Sequence, residues 1–257
     1  MGKLKMTAKV VSQETLATDV YSLVLEAPEI ASQAIAGQFV SVYTHDGSKM
    51  LPRPISLCGI DREAGTLRLV YRVVGFGTKE FSQLAAGDTV DILGPLGNGF
   101  IMPTGKSQKY LLVGGGVGVA PLLYFGKLIK DFGAEVTFLL GARKATDLLE
   151  LDEFAKIGKV CITTEDGSAG EVGFVTNHSV LENEKFDMIS TCGPKPMMVS
   201  VARFAKKAGV ECEVSLENKM ACGVGACLCC VEKTTEGNQC VCKDGPVINI
   251  KKLTWEI

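Results

Sequence analysis

Four cysteines near the C-terminal end, Cys222, Cys227, Cys230 and Cys242, follow a C-x4-C-x2-C…C spacing. Such spacing holds an iron–sulfur cluster of the 2Fe-2S type, which moves single electrons, so the chain has to fold a loop around an inorganic core. The first three thiols lie in the run from Met220 to Cys230. Gly223 and Gly225 within it lack a Cβ, so the backbone can approach the core closely and turn its amides toward sulfur.

Cys229 adjoins Cys230, and Cys240 lies two residues before Cys242, so each offers an alternative third or fourth ligand. Cys230 and Cys242 are the assignment adopted. Four thiolates also suit a structural zinc ion, but zinc sites usually pair two short C-x2-C knuckles, which the four-residue gap fits poorly.

Among the 257 residues 46% are hydrophobic and 22% charged, as in ordinary globular chains that bury a core. A net charge of -2 without long like-charge runs gives no electrostatic footprint for nucleic acid or an anionic membrane. Ten cysteines without an N-terminal signal segment fit a reducing compartment, where thiols serve metals, and place the protein in the cytoplasm. The uncharged stretch from Tyr110 to Gly126 contains five glycines and Pro121. It is too short and too broken to span a membrane and reads as strand, turn and helix start.

The first half is strand-like, with Met6–Val11, Val20–Leu25, Phe39–Tyr43, Leu67–Val74 and Thr89–Leu93 separated by Gly, Asp and Pro turns. These strands predict a small antiparallel barrel over 1–101, closed by Gly94-Pro95-Leu96-Gly97, with Thr78–Leu84 as its only helix. The second half, 102–217, alternates apolar strands (Tyr110–Val113, Glu135–Leu140, Val160–Thr163, Asp187–Thr191, Cys212–Leu216) with helices, including one running through Lys130 and one over Lys195–Ala208. That alternation predicts a parallel α/β sheet. The segment 218–257 is too small for its own core, so a cluster would serve as its staple.

Arg53-Pro54-Ile55-Ser56 combines a phosphate-seeking guanidinium, a rigid turn residue and a hydroxyl, although alone it also reads as a surface turn. Downstream, Gly75-Phe-Gly-Thr78 opens the predicted helix, whose free amides suit a pyrophosphate. With the glycine-rich run that follows, this order of parts resembles the ferredoxin reductase family, which binds FAD on a β-barrel. By that resemblance Arg53 would hold an FAD phosphate and Ser56 would approach the flavin ring, with Pro54 and Ile55 between them also counted as cofactor-binding. Val70, Tyr71 and Arg72 would flank the cofactor, and Gly77 and Thr78 cap its pyrophosphate; ordinary strand packing is the other reading of Val70 to Arg72.

Gly114, Gly115, Gly116 and Gly118 follow an apolar strand and precede a helix, where nucleotide phosphates lie in α/β folds. In neither register does the run satisfy G-x-G-x-x-G, since Val119 or Pro121 stands where glycine is required. In the resembled family, however, a glycine run ending in Pro marks the nicotinamide domain, and Cys-Gly-Pro, here Cys192, Gly193 and Pro194, lies beside nicotinamide and flavin. A buried structural thiol is the alternative for Cys192. Cys58, Cys161 and Cys212 are assigned to packing, and neither His45 nor His178 has triad or metal partners nearby in the sequence.

The cysteine run followed by Val241-Cys242-Lys-Asp-Gly-Pro-Val247 is similar to the electron-transfer subunits of bacterial dihydroorotate dehydrogenase B, with Ile248-Asn249 and the surplus Cys229 and Cys240 as departures. A barrel that oxidises dihydroorotate needs roughly 250 residues of its own, for which no room remains. What this resemblance implies is a separate FMN-containing catalytic subunit, in a heterotetramer of two plus two, with FAD, the 2Fe-2S cluster and NAD carried here. A reductase subunit of another NAD-linked complex, a stand-alone diaphorase and a zinc-stabilised nucleotide-binding module remain as alternatives.

Overall fold

The structure, a computed structural model, describes residues 2–257; Met1, the first residue of the expected barrel segment, lies outside them. The chain forms two compact units. One comprises the chain up to Gly99 with Asn218–Glu232 and Asn238–Pro246, and the other comprises Phe100–Glu217 with Lys233–Gly237 and Val247–Ile257.

In the first unit the elements are β1 (Leu4–Ala17), β2 (Val20–Glu26), α1 (Pro28–Ala31), β3 (Phe39–Val42), β4 (Arg53–Asp61), β5 (Thr66–Arg72), α2 (Phe76–Phe81) and β6 (Thr89–Leu96). The six strands close an antiparallel barrel in the order β1-β2-β5-β4-β3-β6, as expected. Alternation explains the closure: Leu67 and Leu69 of β5 and Leu23 and Leu25 of β2 are fully buried, and each buried side chain contributes roughly 1.5–3 kcal/mol.

Four local expectations change. Arg53-Pro54-Ile55-Ser56 is the start of β4 rather than a surface turn, and Pro54 pairs with Ser41 of β3. Helix α2 begins at Phe76, two residues before the expected start, because Gly75 is extended and serves as its N-cap. The short α1 is a second helix in this half, and β6 continues through the supposed closing turn to Leu96.

The second unit contains β7 (Lys109–Gly115), α3 (Ala120–Phe132), β8 (Glu135–Ala142), α4 (Leu151–Ile157), β9 (Lys159–Thr164), β10 (Glu171–Val172), α5 (Val180–Asn183), β11 (Met188–Cys192), α6 (Lys195–Ala208) and β12 (Glu211–Ser215). Its strands β7 to β12 are parallel, in the order β10-β9-β8-β7-β11-β12. Helix α6 buries Met198, Val201, Ala202 and Ala205, a single 3.6-period stripe. Pro in its first turn and Gly209, left-handed at φ 70°, set its ends.

The C-terminal segment is divided between the units. It supplies β13 (Val231–Thr234) and β14 (Gly237–Cys240) as a two-stranded sheet, then α7 (Val241–Asp244) and β15 (Val247–Asn249). Strand β15 pairs antiparallel with β12 and covers that edge of the large sheet, an addition the sequence pattern did not foretell. No helix among the described residues is long and apolar enough to cross a membrane.

Candidate cofactor sites

The cysteine loop packs on the barrel. A Cβ on Gly223 would lie 3.0 Å from both Leu96 Cδ1 and Ser41 Oγ, and Asn98 Nδ2 donates to the Asp244 carbonyl at 2.9 Å. Gly223 and Gly225 sit at φ 68° and 85°, the left-handed region open to glycine, and Leu228 joins them at φ 59° despite its side chain. This conformation aims amides at sulfur. The N–H groups of Val224, Ala226 and Cys227 donate to Cys222 Sγ at 3.3–3.4 Å, Gly225 N–H to Cys242 Sγ at 3.1 Å, and Cys242 N–H to Cys230 Sγ at 3.4 Å.

Electrostatics differ around the loop. Burial opposes ionisation of Cys222, but the amides of Val224, Cys227 and Ala226 outweigh it and lower its pKa to about 6. Burial, together with the neighbouring Cys230 sulfur, pushes Cys242 up to about 12. Ligation there therefore has to release a proton.

Among the described residues no group of three or more His, Cys, Asp or Glu side chains is placed to hold a single metal ion. Backbone amides instead link the cysteines in pairs, Cys227 N–H donating to Cys222 Sγ and Cys242 N–H to Cys230 Sγ, each at 3.4 Å. The amide-lined set of thiols fits an iron–sulfur cluster. Cys229 is exposed, whereas Cys240 is buried and its Sγ lies 3.9 Å from the Gly225 carbonyl oxygen.

The structure brings Arg53 and Gly77 together. A Cβ on Gly77 would stand 2.1 Å from Arg53 Nε, so only glycine admits the guanidinium against the first turn of α2. Thr78 is buried, and its hydroxyl accepts from Val74 and Gly75 N–H at 2.9 and 3.2 Å while donating to the Gly75 carbonyl at 3.1 Å. Its side chain thus shapes the turn, and the first-turn amides of the helix, which have no acceptor within a helix, lie near a cation, a cradle that fits a pyrophosphate.

Ile55 is buried, Pro54 exposed and Ser56 half-buried on β4. On β5, Val70 is buried and Arg72 half-buried at the strand end. Tyr71 stacks on Tyr21 at 5.8 Å and donates to Gln13 Oε1 at 2.9 Å. Gln13 Nε2 in turn donates to the Phe81 and Leu84 carbonyls, so Tyr71 helps tether α2 to the barrel. Sequence reasoning missed the exposed Met50, Leu51, Val74 and Phe76 that flank the cradle along the chain; an apolar run beside a phosphate motif is the signal that was present.

In the other unit the glycine run and Cys192-Gly193 end the neighbouring strands β7 and β11, where Gly114 pairs with Cys192. Chain order reverses between these strands, the crevice where open α/β sheets bind nucleotides. A Cβ on Gly118 would lie 2.6 Å from Gly193 Cα, and one on Gly115 would lie 2.8 Å from Met197 Sδ. Gly116, at φ 57°, faces open space. The bare backbone at this switch point leaves room for the close approach of a bound dinucleotide.

Cys192 is buried, and burial followed by the charge of Glu217 raises its thiol to about 12, so it stays protonated. Cys58, Cys161 and Cys212 are buried as assigned. His45 lies by Glu80, and His178 Nδ1 accepts from Val180 N–H. Glu213, which the sequence did not single out, is a buried carboxylate receiving Ser190 Oγ at 2.8 Å and Ile101 N–H at 3.2 Å.

Comparison with known proteins agrees with this geometry. Family models for an oxidoreductase FAD-binding domain, an oxidoreductase NAD-binding domain and the iron–sulfur cluster binding domain of dihydroorotate dehydrogenase B match residues 7–100, 112–203 and 217–254. The electron transfer subunit of dihydroorotate dehydrogenase B (NAD(+)) from Listeria monocytogenes is 42% identical, over 97% of this chain and 99% of the relative. The counterpart from Caldanaerobacter subterraneus subsp. tengcongensis is also 42% identical, over 95% and 96%. A solved structure of an NADH-dependent reduced ferredoxin-NADP oxidoreductase, described for flavin-based electron bifurcation, superposes with a TM-score of 0.88 at 34% identity, covering 97% of this chain and 90% of that one. The match sets aside the zinc alternative, and FAD, NAD and an iron–sulfur cluster are the cofactors of this fold. The chain belongs to the family of electron transfer subunits of dihydroorotate dehydrogenase B.

Proposed function

We propose that this protein passes electrons between the FMN of a separate catalytic subunit, its own 2Fe-2S cluster and FAD, and NAD, in the oxidation of dihydroorotate to orotate for pyrimidine biosynthesis. It works in the cytoplasm, in a heterotetramer of two such chains with two catalytic subunits. The cofactor segments are 1–101 for FAD, 102–217 for NAD and 218–257 for the cluster. A flavin, when bound, exchanges a hydride with nicotinamide and single electrons with a cluster, and so joins the two kinds of chemistry.

One observation carries this reading: the cysteine loop and the Arg53–Gly77 cradle belong to the same compact unit and meet across β3. Ser41 lies against Gly223 on one side and pairs with Pro54 on the other. Arg53 with Gly77 and Thr78 holds the FAD pyrophosphate, while Pro54, Ile55, Ser56, Val70, Tyr71 and Arg72 bound the flavin. Gly114, Gly115, Gly116 and Gly118 with Cys192 and Gly193 receive the dinucleotide, and Cys222, Cys227, Cys230 and Cys242 hold the cluster. Val224 and Leu228, partly exposed beside these thiols, offer a docking face to the catalytic subunit.

The test is anaerobic purification with and without the co-expressed catalytic subunit. The isolated chain should contain flavin, iron and acid-labile sulfide and be reduced by NADH. NAD-linked dihydroorotate oxidation should require both chains. A second reading, a reductase subunit of another NAD-linked flavin and iron–sulfur complex, draws on the bifurcating oxidoreductase structure. Co-purification with a chain that does not oxidise dihydroorotate would favour it.

A further inference from the structure

Cys240 and Cys242 stand on either side of Val241, whose N–H donates to the Cys230 carbonyl at 3.1 Å. Both reach the same residue of the ligand loop. Gly225 N–H donates to Cys242 Sγ at 3.1 Å, and the Gly225 carbonyl lies 3.9 Å from Cys240 Sγ. Cys240 is only 9% exposed, and its backbone N–H is fixed by Asp244 Oδ2 at 2.8 Å. A second thiol is therefore held, shielded from solvent, beside the loop that carries three of the four ligands. The family assignment gives it no role.

We infer that Cys240 is a reserve cluster ligand, able to take the position of Cys242 when that sulfur is removed; this rests on the reading of the cysteine loop as the cluster site. Local polarity explains why Cys242 is the resident ligand. An amide N–H faces the Cys242 sulfur, the contact that suits a cluster-bound sulfur, whereas a carbonyl oxygen faces Cys240. Rotation about χ1 is the movement available to bring the Cys240 sulfur toward the position of a missing Cys242, with Val241 still anchored to Cys230. In that exchange one iron–sulfur bond to Cys240 replaces the one to Cys242. The proton of Cys240 passes to solvent, and the iron keeps its oxidation state.

Alanine variants test this without a serine oxygen that could itself bind iron. Iron, acid-labile sulfide and FAD per chain are measured after anaerobic purification, with electron paramagnetic resonance of the dithionite-reduced protein. Cys242→Ala is expected to keep most of its iron and sulfide with a shifted resonance, Cys240→Ala to match the wild type, and the double variant to lose the cluster while keeping FAD. Loss of the cluster in Cys242→Ala as complete as in the double variant overturns the inference. So does loss in Cys240→Ala alone, which would make Cys240 the resident ligand, or retention in the double variant. Absence of iron and sulfide from the wild type would instead overturn the cluster reading itself.

Discussion

Gly118 abuts Gly193 so closely that a Cβ added to Gly118 would stand 2.6 Å from Gly193 Cα and 2.7 Å from the Cys192 carbonyl oxygen. Both neighbours are backbone and cannot swing aside. Gly118→Ala has to part the two loops, at a cost of about 1–3 kcal/mol for overpacking. NADH binding, followed by titration of the purified protein, should weaken markedly while FAD and iron contents stay at wild-type levels. Unchanged NADH affinity would separate this junction from the dinucleotide site.

Arg53 lies against the first turn of α2, where a Cβ added to Gly77 would stand 2.1 Å from its Nε. A charge-assisted phosphate contact contributes about 1.5–3 kcal/mol, so Arg53→Ala should weaken FAD binding by that amount without unfolding the barrel. Gly77→Ala should also weaken it, because the new methyl group displaces the guanidinium. Equal FAD affinity in wild type and Arg53→Ala, measured by flavin release on dilution, would make Arg53 a bystander.

These two close approaches mark the limit of what the sequence discloses. Helix α6 was legible over its full length, Lys195–Ala208, because an apolar stripe and terminal Pro and Gly signals agree. Strand β4 was not, because Pro54 argues against a strand until its pairing with Ser41 is known. The cysteine spacing named the cluster, but which amides serve which sulfur depends on left-handed turns at Gly223, Gly225 and Leu228. That Arg53 reaches Gly77 depends on barrel closure, which no local window contains. Strand β15 has only three residues, too few to show a period.

Glu213 supplies a dependence of stability on pH. Burial raises its pKa from 4.5 to about 7, against the opposing bonds from Ser190 and Ile101. Since the folded value lies above the unfolded one, its contribution is fully present below the unfolded pKa and is lost as pH rises through the folded one. The loss across that window is roughly 3 kcal/mol. Glu213→Gln should therefore gain stability relative to the wild type between about pH 4.5 and pH 8 in denaturant titrations. The same difference at both ends of the range would sink this assignment.

Val224 is 36% and Leu228 64% exposed beside Cys222 and Cys227, in a loop whose left-handed backbone presents few charges. An electron-transfer subunit needs a contact surface close to its cluster, and apolar residues with small neighbours suit the core of such an interface. Replacing either with Glu would place a charge where the partner has to exclude water, and an unpaired charge buried in this way typically costs several kcal/mol. Val224→Glu and Leu228→Glu should each abolish co-elution with the catalytic subunit and NAD-linked dihydroorotate oxidation. Flavin reduction by NADH in the isolated chain, together with its iron content, should persist, which separates lost docking from a damaged cluster loop. Intact co-elution and NAD-linked turnover in both variants would move the docking face elsewhere on the protein.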